Sequence, residues 1–283
     1  MPTPPFRADI VGSFLRPAEL AEARRGFASG QIDADGLRRV EEAAIAELVQ
    51  NQADAGLQLA TDGEFRRAWW HFDFFGLLEG VDIVALDHGI QFQGVETKPH
   101  GIEVSGKLGF PDNHLFLDHF RSLKSLLENT TGAVPKFTIP APTVLDFRLE
   151  PDHIDSSAYE GRDAIVDDLV QAYRDAVAAF YAAGARYLQF DDTAWAYLCS
   201  EAELAKARER GINTDGIAER YAGILNRVLE GKPDDLVVST HVCRGNFRST
   251  WISSGGYEPV AEQLLANTAY DAYFLEYDNE RAG

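Results

Sequence analysis

His241 and Cys243 are the side chains of this sequence whose types and spacing best suit metal binding. They follow Leu236–Thr240, an apolar run that predicts a β-strand, and they precede a polar turn at Arg244–Asn246. Residues two apart in an extended strand point to the same side, so the imidazole and the thiolate would converge. Both groups are Zn²⁺ ligand types, and barrel enzymes carry their chemistry at the carboxyl ends of strands. The alternative is a buried cysteine beside a histidine that hydrogen-bonds a carbonyl group.

A carboxylate, Glu276, follows the next predicted strand, Ala272–Leu275. Neighbouring parallel strands lie about 5 Å apart, so their carboxyl ends share one rim. A carboxylate can act as a third zinc ligand beside histidine and cysteine. Glu276 is therefore a candidate for the same metal site, and a solvated loop acid is the competing interpretation.

Acidic residues also end two other predicted strands. Asp62 and Glu64 follow the strand at 57–61, and the pair at 191–192 follows the strand Tyr187–Phe190. Such acids can cap the next helix, hold a substrate ammonium group, or work as an acid–base pair as in glycosidases. The sequence leaves these three roles open.

Gly12 and Ser13 end the first predicted strand, and they form a further candidate site. Glycine permits a close approach of the backbone, so the Ser13 N–H or hydroxyl group could bind a substrate carboxylate. The competing interpretation is an ordinary turn or helix cap before the predicted helix at 17–24.

The elements that must position these residues alternate between amphipathic helix and short apolar strand. This alternation is typical of a parallel sheet with crossover helices, which predicts an α/β fold in one domain over 1–283. Alternating polar and apolar residues at 90–108 predict a β-hairpin inserted after the second strand. The six predicted strands are Ile10–Ser13, Leu57–Thr61, Val134–Ile139, Tyr187–Phe190, Leu236–Thr240 and Ala272–Leu275.

Composition limits the partners of the chain. The 283 residues carry a formal net charge of −19, which disfavours binding to nucleic acid or to an anionic membrane surface. Two cysteines are too few for a disulfide framework, and the sequence lacks an apolar run long enough to span a bilayer. We therefore expect a cytoplasmic protein. The sequence leaves the oligomeric state open, and a homo-oligomer is one of the alternatives.

Taken in order, these motifs resemble the C-terminal barrel of the cobalamin-independent methionine synthase family, and most closely its short, single-barrel bacterial relatives. The resemblance covers nearly the whole chain and implies a (β/α)8 TIM-type barrel. The matching motifs are Ile10-Val-Gly-Ser-Phe14 with Arg16-Pro17, Asp62-Gly-Glu64, Pro140-Ala-Pro142, Gln189-Phe-Asp-Asp192, His241-Val-Cys243 and Leu275-Glu276.

The resemblance also implies roles for individual residues. It implies that His241, Cys243 and Glu276 bind zinc. It also implies that homocysteine is bound by Ser13 through its carboxylate and by Glu64 and Asp191 through its amino group. The implied reaction is transfer of a methyl group from a donor to the homocysteine thiol.

The sequence departs from the family pattern in ways that affect the prediction. The family supplies a further cysteine ligand from its eighth strand and a catalytic histidine from its seventh, and neither has a counterpart here. We therefore expect an incomplete barrel that lacks its last two strands, in a natural protein that continues past Gly283. The proline that follows the acid pair in the family is Thr193 here.

Two alternative functions and the identity of the donor stay open. One alternative is alkyl transfer to another thiol, as in the epoxyalkane:coenzyme M transferases, and the other is a metal-free, degenerate binding protein. The net charge of −19 and a thin set of basic residues, at 66–67, Arg244 and Arg248, favour a donor less anionic than polyglutamylated folate.

Overall fold

Helices and short strands alternate along the chain in a computed structural model that describes residues 4–86, 89, 91–92, 94–97, 99–246 and 250–282. The helices are α1 (Ala18–Ala28), α2 (Ala34–Asp54), α3 (Phe72–Phe75), α4 (Leu115–Asn129), α5 (Pro142–Arg148), α6 (Arg162–Ala182), α7 (Ala194–Leu198), α8 (Glu201–Glu209) and α9 (Ile217–Leu229), with a 3₁₀ turn at Pro151–His153 and a π-helical turn at Glu262–Ala266. The strands are β1 (Leu59–Ala60), β2 (Glu79–Ala85), β3 (Gln91–Phe92), β4 (Val95–Glu96), β5 (His100–Gly109), β6 (Val134–Pro135), β7 (Phe137–Pro140), β8 (Tyr187–Asp191), β9 (Val237–Val242) and β10 (Ala272–Leu275).

The strands that carry the candidate site run parallel and follow one another in chain order. β1 pairs with β6, and β7, β8, β9 and β10 form a four-stranded parallel sheet. Only Lys136 separates β6 from β7, and its N–H donates to the Ala60 carbonyl at 3.0 Å, which joins the two groups of strands. The predicted α/β class with a parallel sheet is therefore confirmed, whereas closure into an eight-stranded barrel stays a prediction.

The predicted first strand, Ile10–Ser13, takes part in the sheet at one point only. Ser13 forms a single parallel bridge with Gly63. Gly12 has φ +129°, outside the extended region, and this interrupts the strand before a ladder can form. Side chains replace the missing ladder, because Thr61 Oγ1 donates to the Gly12 carbonyl at 2.7 Å.

The core lies between the sheet and the helices that cover it. β8 is buried at all five positions, as expected for a parallel strand with helices on its faces. In α4 the buried residues recur every three or four positions, which is the period of an amphipathic helix. These residues are Phe116, Leu117, Phe120, Leu123 and Leu127. Among the described residues, the helices lack the combination of length and apolar character that a membrane span requires.

An antiparallel ribbon of β2 and β5 follows β1 in the chain. The ribbon begins at Glu79, upstream of the hairpin predicted at 90–108, and Ala85 pairs with His100 at its far end. A smaller pair, β3 with β4, lies between these strands, and Ile90, Gln93 and Lys98 of the predicted hairpin lie outside the described residues. The β2 strand escaped prediction because Gly80 adopts φ +71° and the register shifts between Glu79 and Val81, which breaks the alternation of side chains at the start of the strand.

Candidate metal centre and substrate site

The ladder between β9 and β10 brings the three predicted zinc ligands together. Leu275 pairs with Val242, so Glu276 follows β10 at the level where Cys243 follows β9. One ligand atom from each of His241, Cys243 and Glu276 lies within 4.8 Å of the other two. Zinc bonds of about 2.0–2.3 Å at tetrahedral angles place ligand atoms roughly 3.5 Å apart, so small side-chain movements suffice to close the set. The nitrogen, sulfur and oxygen donors and their spacing fit a Zn²⁺ ion.

Two residues that the sequence analysis gave no role hold the carboxylate of Glu276. Asn246 Nδ2 donates to Oε1 at 2.6 Å, and Arg281 Nη2 donates to Oε2 at 3.2 Å. The backbone N–H of Asn246 also donates to Cys243 Sγ at 3.4 Å. Asn246 therefore contacts two of the candidate ligands. The feature of the sequence that could have indicated this contact is its position three residues after Cys243.

Burial dominates the electrostatics of Cys243. Removal from water raises the pKa of its thiol to about 11, and the nearby charge of Glu276 acts in the same direction. The thiol is therefore protonated at neutral pH unless a cation lies beside it. A bound metal ion is the kind of charge that reverses this preference.

His241 contacts Asp191, which the resemblance had assigned to the substrate. The two residues are paired across β8 and β9, and His241 Nδ1 lies 3.3 Å from Asp191 Oδ1. Gln189 Nε2 donates to the same Oδ1 at 2.8 Å. Asp191 thus lies at the edge of the candidate metal site as well as in the predicted substrate site.

A left-handed turn presents Glu64 to the interior. Gly63 and Glu64 have φ +66° and +59°, and a Cβ at position 63 would lie 2.4 Å from Leu48 Cδ2. Glycine is therefore required at 63, and the next residue turns inward, only 5 % exposed. Its Oε1 accepts hydrogen bonds from Thr138 Oγ1 at 2.9 Å and from Arg67 Nη1 at 3.1 Å.

Glu64 shares its surroundings with other charges. Burial raises the pKa of Glu64, the guanidinium of Arg67 opposes that rise, and the charge of Asp191 adds to it. Two carboxylates that interact in this way favour a cation between them. Ser13 belongs to a third segment of the chain and lies beside this turn. It is exposed and forms a parallel bridge with Gly63.

In each acid pair, one residue makes local backbone bonds. Asp62 Oδ1 accepts from the Glu64 N–H at 2.9 Å, so it fixes the turn. Asp192 Oδ1 accepts from the Ala194 N–H at 3.1 Å at the start of α7, and Oδ2 accepts from Thr143 Oγ1 at 2.6 Å. Burial raises the pKa of Asp192 to about 7. Asp62 and Asp192 are thus held by local bonds, and a substrate role for Glu64 and Asp191 stays a prediction.

Two of the three described members of the predicted basic patch, Arg67 and Arg244, are buried. Arg67 is buried against Glu64, and Arg244 is buried with its Nη2 donating to the Ala282 carbonyl at 3.0 Å. Arg66 is half-buried, with its Nη2 donating to Ser122 Oγ at 3.1 Å. Arg248 lies outside the described residues.

The chain has similar relatives among known proteins, although they are not reached through a family model. No protein-family model matches it. It is 44% identical over 282 residues to the uncharacterised protein YxjG of Bacillus subtilis (strain 168), covering 99% of this chain and 72% of that protein, and 42% identical over 279 residues to YxjH of the same organism, again covering 99% and 72%.

Solved structures also resemble the chain, among them the following two. A B12-independent methionine synthase from Shewanella sp. W3-18-1 in complex with selenomethionine shares the fold at 18% identity and a TM-score of 0.61, over 89% of this chain and 67% of that one. A protein from Listeria monocytogenes, provisionally assigned as a vitamin-B12-independent methionine synthase, is 37% identical, with a TM-score of 0.79 over 99% of this chain and 76% of that one. On this identity and coverage, the chain belongs to the cobalamin-independent methionine synthase family, a family of methyltransferases.

Proposed function

We propose that the protein is a zinc-dependent methyltransferase that moves a methyl group to the thiol of homocysteine and so forms methionine. The observation that carries the proposal is the convergence of His241, Cys243 and Glu276 at neighbouring strand ends. Membership in the methionine synthase family supports the same reaction. We also propose that the parallel strands belong to a (β/α)8 barrel of TIM type, with the β2–β5 ribbon inserted after β1.

In this proposal the protein binds both the metal and the amino-acid end of the substrate. His241, Cys243 and Glu276 would hold zinc. When bound, zinc lowers the pKa of a coordinated thiol, so homocysteine reacts as a thiolate at neutral pH.

The residues of the substrate site would orient homocysteine rather than take part in the chemistry. Glu64 and Asp191 would accept hydrogen bonds from its ammonium group, and Ser13 would bind its carboxylate. Fixing both ends of the amino acid leaves its sulfur in one place, where a methyl donor can approach in line. The burial of Glu64 excludes water and strengthens its attraction for a cation.

The acids also distinguish this substrate from the alternative thiol. A sulfonated thiol without an amino group would need arginine or lysine where Glu64 and Asp191 lie, and Arg67 is already paired with Glu64. The negative charges on Glu64 and Asp191 therefore favour an amino-acid thiol over coenzyme M.

Metal content and thiol alkylation test the proposal. Full-length protein purified without chelator should contain about one zinc ion per chain, and Cys243→Ser should lose most of it together with thiol alkylation. Cys199→Ser is the matched control, because Cys199 is a free, buried cysteine whose Sγ donates to the Trp195 carbonyl at 3.3 Å. A Cys243→Ser protein that keeps both zinc and alkylation would refute the proposal, as would a wild-type protein that does not bind zinc.

A further inference from the structure

Gln189 connects the N-terminal segment to the metal site. Its side chain is fully buried in β8, at 0 % exposure. Its Nε2 donates to the Val11 carbonyl at 2.6 Å and to Asp191 Oδ1 at 2.8 Å. A primary amide has two N–H groups, so both donors of this side chain are used.

The bond between Asp191 and His241 determines which histidine nitrogen is free. A carboxylate oxygen accepts hydrogen bonds, so the contact of 3.3 Å between His241 Nδ1 and Asp191 Oδ1 favours the tautomer with the proton on Nδ1. In a neutral imidazole the other nitrogen, Nε2, then keeps its lone pair and can bind a metal. Carboxylates that fix metal-binding histidines in this way also make the ring a better ligand.

We propose that Gln189 is a positioning residue, which holds Asp191 so that Asp191 orients His241 with Nε2 available to the metal. This inference rests on the proposed zinc site, but it concerns a side chain that touches neither metal nor substrate. Without the Gln189 amide, the Asp191 carboxylate could rotate about its Cα–Cβ and Cβ–Cγ bonds. The imidazole would then lose its fixed partner, and part of the metal-binding free energy would go into ordering the ring.

The same arrangement lets Asp191 serve two sites. Among the described residues, Gln189 and His241 both bond to Oδ1 of its carboxylate, so Oδ2 remains for a substrate ammonium group. The second Gln189 bond ends on Val11, two residues before Ser13. One amide therefore fixes the metal-binding histidine and the segment that carries the proposed carboxylate-binding serine.

Zinc affinity, measured by competition with a chromophoric chelator, tests the role of Gln189. Gln189→Met keeps the volume of the side chain but removes both donors, and we expect zinc binding about 10- to 100-fold weaker. The Co²⁺-substituted variant should also show shifted visible absorption bands, since the ring orientation changes.

Gln52→Met is the matched control for loss of a buried amide. Gln52 is 3 % exposed, and its amide bonds to Thr61 O and Thr61 N, each at 3.0 Å. This control should lose stability in a similar way and yet keep the zinc affinity and the Co²⁺ spectrum. Gln189→Met with the same zinc affinity as the control would overturn the inference.

A second pair of variants tests the relay at Asp191, should Gln189→Met fail to fold. Asp191→Asn keeps an oxygen acceptor for His241 and Gln189, so zinc affinity should stay within a few-fold of wild type, whereas Asp191→Ala should lose about 10- to 100-fold. Equal zinc affinity in the two variants would overturn the inference while the proposed function stands. A wild-type protein without zinc affinity would overturn both.

Discussion

The buried ion pair between Arg67 and Glu64 allows a sharp test of how the proposed substrate site is held. Arg67 Nη1 lies 3.1 Å from Glu64 Oε1, and the side chains are only 1% and 7% exposed. At this distance the attraction is about 5 kcal/mol with an effective dielectric constant of about 20. Removing one partner of a buried pair typically costs about 3–5 kcal/mol, because the other charge is left without compensation.

We therefore expect Arg67→Met to lower the free energy of unfolding by about 3–5 kcal/mol, measured with urea at pH 7. The loss should shrink as the pH falls, because burial already raises the pKa of Glu64 and a protonated carboxyl group needs no cation. Adding Glu64→Gln to Arg67→Met should recover part of the stability, since the double variant leaves neither charge of this pair buried without its partner.

The control is an exposed pair with the same sequence spacing. Arg121 Nη1 lies 2.8 Å from Asp118 Oδ1, with side chains 55% and 68% exposed, and Arg121→Met should cost less than about 1 kcal/mol. An Arg67→Met protein no less stable than this control would show that the buried pair does not hold Glu64 as described.

Three further predictions concern the substrate, acid stability and the donor. Glu64→Gln should raise the Kd for homocysteine by far more than the Kd for a thiol without an amino group, and equal losses in binding titrations would refute the assignment. His114, 1 % exposed, accepts the Phe116 N–H at 3.2 Å with its Nδ1, and burial lowers its pKa to about 4. Because the unfolded chain binds that proton more readily, about 3 kcal/mol of stability should be present above pH 6.5 and lost as the pH falls to about 4. His114→Asn keeps an acceptor without titrating, so urea unfolding across this range should show a flatter profile than wild type. Finally, because these 283 residues carry a net charge of −19, we expect the protein to use methylcobalamin better than methyltetrahydrofolate triglutamate, and efficient turnover with the triglutamate alone would refute this expectation.

The carboxyl end of the sheet could be predicted because apolar runs in the sequence are followed by polar, reactive side chains. The apolar run before His241 and the one before Glu276 set the elements, and parallel pairing then brings the two residues together. What the sequence could not reveal depends on turns and long-range packing. Arg67 follows Glu64 by three residues and reads as a surface base, yet the left-handed turn at Gly63 folds it inward. Gln189 reads as part of a strand, and its hydrogen bond to Val11 spans 178 residues of sequence.

The register of β9 and β10 has a consequence for how the spacing of the metal-site motif can vary. Cys243 and Glu276 meet because Leu275 is paired with Val242, whatever the length of the connection between the strands. Insertions in that connection would cost little, since doubling a loop adds only about 0.6 kcal/mol of closure entropy. A single deletion within β10 would instead move Glu276 to the opposite face of the sheet. Homologous sequences should therefore be searched with a fixed spacing from His241 to Cys243 and a variable gap before a strand that ends in glutamate.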